Sequence, residues 1–257
     1  MSGFNLNILV VLAALFSSLS VAAPLSIKMA SIELKPYGFI DKSGRKKGVL
    51  YELSDQIAKE INAKFTNTVV PYARAILQVK NGTSDLVLIF ANDILESSAK
   101  NMGPVLELTN IILTKKNFPV STLSDLKGKT IAHVTNANYD ETYQKNKSIK
   151  KFYTQSYTHN FNLLSKDRVH GVVGPEIGLY YTAKEMGYEG DYFSKPLVLI
   201  RKNVVLYLSS KFHERHKEDA IKIRAVAQAM FKNGQSQRIL DKYNPFLSKA
   251  GQPISAP

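Results

Sequence analysis

Short, uninterrupted apolar runs recur along the chain, and they restrict its fold more than any other feature. Leu86-Val87-Leu88-Ile89-Phe90 is the clearest, and others lie at Ile111 to Leu113, Thr130 to Val134, Val169 to Val173, Leu197 to Ile200 and Val204 to Leu208. A strand that is apolar on both sides must be covered on both faces, as in a parallel sheet flanked by helices. The intervening segments supply those helices. Leu50, Leu53, Ile57 and Ile61 recur at spacings of three and four, with Asp55, Lys59 and Glu60 between them, which makes one buried stripe. A second helix from Tyr72 to Lys80 stops at Asn81-Gly82, where glycine takes the left-handed cap. Helix signals follow at Tyr139 to Lys145, Phe161 to Ser165 and Pro175 to Met186, the last opened by proline and closed by Gly187. Ser209 or Ser210 is placed to cap a helix carrying Ile221, Ala225, Val226, Ala229 and Met230, ended by Asn233-Gly234, and another helix runs from Gln235 to Tyr243. Strands alternating with helices mean an α/β architecture with parallel sheets. Polar interruptions at Lys115 to Pro119 and at Arg201-Lys202-Asn203 mark two crossovers. Residues 115–203 then form one lobe, and 23–114 with 204–257 form the other.

Composition removes whole classes of chemistry. The chain has no cysteine, so disulfides, cysteine-based metal sites and thiol catalysis are excluded. Residues 1–22 carry no charged side chain, and an apolar run from Ile8 to Phe16 leads into Ser17-Ser18-Leu19-Ser20-Val21-Ala22. This is the pattern of a secretory signal peptide cleaved after Ala22. With no cysteine to accept lipid, the expected location is the periplasm of a Gram-negative bacterium. The 34 Lys and Arg against 21 Asp and Glu give a net charge of +13, but the basic residues are scattered and form no stripe interleaved with aromatics, so nucleic acid is not an expected partner. No G-x-S-x-G, phosphate loop or G-x-G-x-x-G occurs. His213-Glu214-Arg215-His216 lacks a third ligand at metal spacing. No metal, no cofactor and no catalytic residue is assigned, and a monomer is expected.

Four segments taken in order carry a family resemblance. Pro36-Tyr37-Gly38-Phe39-Ile40-Asp41, then Gly48 and the helix Tyr51 to Ala58, resemble the first-lobe motif of the bacterial extracellular solute-binding proteins of family 3. Leu123 to Ala132 is similar to that family's "DLKGKxVG", Arg168 to Gly174 to its "GxxDAVVGD", and Asn233 to Tyr243 to its closing "DGTYDKIYxKY". The resemblance implies a two-lobed periplasmic binding protein of type II, joined by a two-strand hinge, with a small polar solute in the cleft and an ABC permease as partner. The alternatives on the same fold are a ligand-binding partner of a membrane sensor and a dehydratase-like enzyme.

In amino-acid binders of that family an arginine clamps the ligand carboxylate and an aspartate holds its ammonium. Their positions fall near Ser97 and Pro175 in this chain, with Glu176 beside the latter. An ordinary α-amino acid is therefore not the expected ligand, because losing one partner of a buried charged contact costs about 2–5 kcal/mol. Arg74, in a Pro71-Tyr72-Ala73-Arg74-Ala75 motif similar to that of a divergent branch, is either a candidate replacement clamp for an anionic solute, with Tyr72 beside it, or a surface arginine on the helix. Tyr37 is a candidate cleft wall. Asn92, Thr135, Asn136 and Asn138 follow strand ends, where α/β sheets carry their ligand loops. Glu176 completes the candidate set.

Overall fold

The computed structural model describes residues 25–135 and 137–246. The expected signal peptide and Asn136 lie outside them. Ten strands and nine α-helices are present among these residues. In chain order the strands are β1 (Ser26–Ile32), β2 (Phe39–Ile40), β3 (Lys46–Lys47), β4 (Lys64–Val70), β5 (Leu86–Phe90), β6 (Ala99–Thr114), β7 (Thr130–Val134), β8 (Lys150–Thr154), β9 (Gly171–Pro175) and β10 (Leu197–Ser209). The helices are α1 (Val49–Glu60), α2 (Tyr72–Asn81), α3 (Asp93–Ser98), α4 (Glu141–Lys145), α5 (Tyr157–Ser165), α6 (Glu176–Glu185), α7 (Ser210–Arg215), α8 (Lys217–Lys232) and α9 (Gln235–Asp241).

Eight strands form one sheet in the order β4-β1-β5-β10-β6-β9-β7-β8. It is mixed rather than purely parallel: β1 is parallel to β4 and β5, β7 is parallel to β8 and β9, and β10 and β6 run antiparallel to their neighbours. The two long strands join two half-sheets. β5 pairs with Val204 to Leu208 of β10, and β9 pairs with Asn110 to Thr114 of β6. Between these stretches Glu107, Leu108 and Thr109 pair with Asn203, Lys202 and Arg201, so the sheet narrows to a two-strand neck. The polar triplet Arg201-Lys202-Asn203 is therefore not a break. It lies inside one continuous strand, and its polarity suits a neck with no third strand beside it.

Burial follows the same division. One apolar cluster joins Ile27, Met29, Leu53, Ile57, Leu86, Leu88, Leu206 and Ile223, and two others lie around Phe161 and Leu179 and around Ile131 and Tyr143. Phe246, near the C-terminal end of the described chain, packs with Tyr180 and Phe193 in the second half. Both expected glycine stops occur, with Gly82 at φ 70° and Gly187 at φ 85°. Ser209 caps α7 by accepting from the Phe212 backbone N–H, not the longer α8, which begins after His216. The C-terminal helix is held to the first half by Tyr243, whose hydroxyl donates to Glu52 and accepts from the Gly48 N–H at 2.9 Å.

Candidate functional site

Strands β1, β4 and β5 of one half-sheet and β7, β8 and β9 of the other place the loops at their C-terminal ends on either side of the neck, the position where α/β sheets bind ligands. From the first half, the turn after β1 carries Tyr37. Its backbone is pinned there by bonds from the Tyr37 N–H to Leu34 O at 2.7 Å and from the Leu50 N–H to Tyr37 O at 2.9 Å. Tyr37 is 5% exposed, and its hydroxyl has no hydrogen-bond partner among the described residues. The place that a Cβ would take on Gly178, in the first turns of α6, lies 3.5 Å from Tyr37 Oη and 3.3 Å from Tyr157 Cε2. Tyr37 thus reaches across to the second half.

Two tyrosines of the second half meet it. Tyr139, 4% exposed, follows β7, and Tyr157 opens α5 directly after β8. Their hydroxyl oxygens are 3.3 Å apart. Tyr157 is seated on glycine: a Cβ on Gly174 would come within 2.9 Å of its ring. Asn110 donates to the Tyr139 carbonyl at 2.7 Å, and its own buried Oδ1 has no partner among the described residues. Burial raises the Tyr37 and Tyr139 phenols well above the ordinary tyrosine value, and pushes Tyr157 up to about 12. All three are neutral donors at physiological pH. A buried hydroxyl left unpaired costs about 1–3 kcal/mol, so a solute atom that partners Tyr37 recovers that cost on closure.

The other expected residues lie on loops and helix starts that follow strands of the two half-sheets. Tyr72 and Arg74 stand exposed in the first turn of α2, and Arg74 makes no ion pair or hydrogen bond among the described residues. Asn92 spends its side-chain oxygen capping α3, accepting from the Ile94 and Leu95 N–H groups at 3.1 and 3.3 Å. Asn92→Ala should cost about 1 kcal/mol while Asn92→Ser should be nearly neutral, so loss of solute binding in the serine variant at unchanged urea midpoint would show that the amide reaches the solute. Thr135 Oγ1 donates to the Thr154 carbonyl at 2.9 Å, and the Asn138 carbonyl accepts from Lys202 Nζ at 3.4 Å.

Glu176 is half-buried and lines a different cavity, of about 750 Å³, on the flank of the neck with Tyr180, Phe193, Arg201, Asp241 and Phe246. Tyr37, Tyr139 and Tyr157 do not line it. Burial raises the Glu176 carboxyl above the ordinary value, and the Arg201 charge opposes that shift. The folded chain holds this proton more tightly than the unfolded chain, so stability falls as pH rises beyond the unfolded value. Glu176→Gln should therefore be more stable than the parent at about pH 7 and lose its advantage at about pH 4, as read from urea midpoints at the two pH values.

Two histidines, His133 and His216, are packed against aromatic rings. His133 Nε2 lies 2.9 Å from Ala137 O inside a ring of Tyr139, Tyr143 and Tyr153, and His216 stacks on Phe212 at 4.8 Å. No group of three potential metal ligands occurs among the described residues. Tyr139 and Tyr157 are not among the expected residues; both follow strand ends, but β8 itself is not recognised in the sequence.

The model of the bacterial extracellular solute-binding proteins, family 3, matches residues 27–246. Among curated proteins none matches the chain in sequence. Among solved structures, the second substrate-binding domain of Lactococcus lactis GlnP in its open conformation is 18% identical, with a TM-score of 0.67 over 85% of this chain and 95% of that one. The solute receptor for L-cysteine of Neisseria gonorrhoeae is 18% identical, with a TM-score of 0.61 over 85% and 89%. The ancestral amino acid-binding protein AncCDT-1, a precursor of cyclohexadienyl dehydratase, is 18% identical, with a TM-score of 0.62 over 86% and 95%. At this identity the likeness is one of fold, two α/β lobes around a cleft.

Proposed function

Because the chain belongs to the bacterial extracellular solute-binding proteins, family 3, we propose that it is a periplasmic binding protein that captures a small polar solute between its lobes and delivers it to an ABC permease. The observation that carries this reading is the meeting of Tyr37 from one half-sheet with Gly178 and Tyr157 from the other, across a neck of two strands. A neck of that kind permits rotation, and a solute touching both halves stabilises the closed state by its differential affinity. The two lobes of this reading divide at the neck, Glu107–Thr109 of β6 against Arg201–Asn203 of β10, a few residues before the expected boundary at 114 and next to that at 203, with the rotation taken up inside these two strands. Lys35 and Glu185, 2.7 Å apart, and Phe39 and Tyr181, with ring centroids 6.1 Å apart, latch the rim on closure.

The test is X-ray scattering and thermal unfolding of the purified chain with and without solute recovered from it. A binding protein contracts and gains stability with solute, whereas unchanged scattering and melting in the presence of every recovered compound would reject the reading. Arg74→Ala examines the anionic variant: a loss of about tenfold or more in affinity places the guanidinium on the solute, and unchanged affinity removes it. Solute uptake in cells separates a permease partner from a membrane sensor. The protein is read as a binder and not an enzyme. The relationship of AncCDT-1 to cyclohexadienyl dehydratase keeps a dehydratase alternative, which requires turnover that is lost in Glu176→Gln.

A further inference from the structure

We infer that the cleft selects an uncharged, hydrogen-bonding solute, bearing hydroxyl or amide groups, through the phenols of Tyr37, Tyr139 and Tyr157, with no ion pair at its centre. The inference rests on the binding reading above and names its solute class. The three hydroxyls converge from the two halves: the Tyr139 and Tyr157 hydroxyl oxygens are 3.3 Å apart, and the place of a Cβ on Gly178 lies 3.5 Å from Tyr37 Oη and 3.3 Å from the Tyr157 ring. The one left without a partner among the described residues, Tyr37 Oη, belongs to a side chain that is 95% buried, and it is aimed at the opposite lobe.

The chemistry around these hydroxyls is neutral throughout. Among the described residues none of the three hydroxyls is hydrogen-bonded to a lysine, arginine, aspartate or glutamate side chain: Tyr139 and Tyr157 pair with each other, and Tyr37 has no partner. The nearby charges are already committed, Lys35 to Glu185 and Lys202 to the Asn138 carbonyl. Glu176 and Arg201 line the separate cavity beside the neck. A carboxylate or ammonium brought between the tyrosines would lose its water and meet only neutral dipoles, which is costly for an ion. A hydroxyl or amide loses less, and it finds donors and acceptors in the phenols and in the unpartnered Asn110 Oδ1. Ring faces on either side also suit the C–H surface of a compact neutral molecule.

The test uses the full purified chain. Small molecules released on denaturation are identified by mass spectrometry and titrated back calorimetrically, beside a panel of neutral probes (glycerol, myo-inositol, glucose, urea, acetamide) and charged ones (arginine, glutamine, glutamate, citrate). The expected result is a neutral compound, with an affinity that changes less than about twofold between about 50 and about 500 mM NaCl. Tyr37→Phe should reduce that affinity by about tenfold or more, because the phenol donor is lost while the ring stays. Tyr157→Phe serves as a second variant if the first melts early. Tight binding of any charged or zwitterionic compound overturns this inference and leaves the binding reading intact. A neutral ligand indifferent to both Phe variants also overturns it. Absence of binding by every released compound and every probe overturns both.

Discussion

Gly178→Leu should abolish solute binding, a loss of at least about a hundredfold, while leaving the chain as stable as before. A Cβ at this position already stands 3.3 Å from Tyr157 and 3.5 Å from Tyr37 Oη, so the branched end of leucine must occupy the space in which the lobes meet. Overpacking a closed contact costs about 1–3 kcal/mol or more. Here the cost is not confined to folding, because the neck lets the molecule escape it by opening. Helical propensity acts in the opposite direction: Gly178 lies within α6, and replacing an interior helical glycine by leucine favours the helix by up to about 1 kcal/mol. The combination is diagnostic. Melting temperature without solute should hold or rise, solute-induced stabilisation should vanish, and the scattering radius should stay at its open value. Solute-induced contraction of the same size in the variant would mean that the lobes do not close at Gly178.

Phe161→Ala should act on folding instead. Phe161 is fully buried in α5, with ring centroids 5.9 Å from Tyr188 and 5.8 Å from Phe193. Removing a phenyl ring from such a site costs about 3–5 kcal/mol, from lost transfer energy and the cavity left behind. Phe193 in turn packs on Phe246, near the C-terminal end of the described chain, so relaxation into the cavity is opposed from several sides. The expected outcome is a large drop in the urea midpoint, with tyrosines of the second half becoming accessible first. A loss under about 1 kcal/mol would show that the aromatic cluster repacks, against the close packing assigned to it.

Much of this architecture is legible in sequence for an identifiable reason. β5, β7 and β9 lie inside the sheet and are covered on both faces, so they are mostly apolar, and their runs are visible without knowledge of their partners. The helix stops at Gly82 and Gly187 are equally local, since a left-handed residue needs only its own backbone. The sheet edges are less visible. β4 reads Lys-Phe-Thr-Asn-Thr-Val-Val and β8 reads Lys-Lys-Phe-Tyr-Thr. Each is an edge strand with one neighbour, where charge and polarity discourage pairing with other chains. Such composition resembles a loop. β10 illustrates the same limit from another direction, because its polar triplet is a neck within a strand and only the pairing with Thr109, Leu108 and Glu107 shows it.

The rule that ligand loops follow strand ends singles out Asn92, Thr135, Asn136 and Asn138 and passes over Tyr139 and Tyr157, which follow β7 and β8, while Tyr37 stands out in the first-lobe motif. Arg74 is exposed in the structure and is left to the Arg74→Ala measurement, while three neutral phenols lie at the junction. The sequence alone determined the alternation of strands and helices and the family, because each depends on residue type and short-range spacing. Only the tertiary structure decided that β6 and β10 run unbroken through both halves, that Glu176 faces a cavity beside the neck, and that Tyr37 meets residues about 100 to 140 positions away in the chain. Contacts at that separation are set by how the two halves come together across the neck, and no local pattern of side chains encodes them.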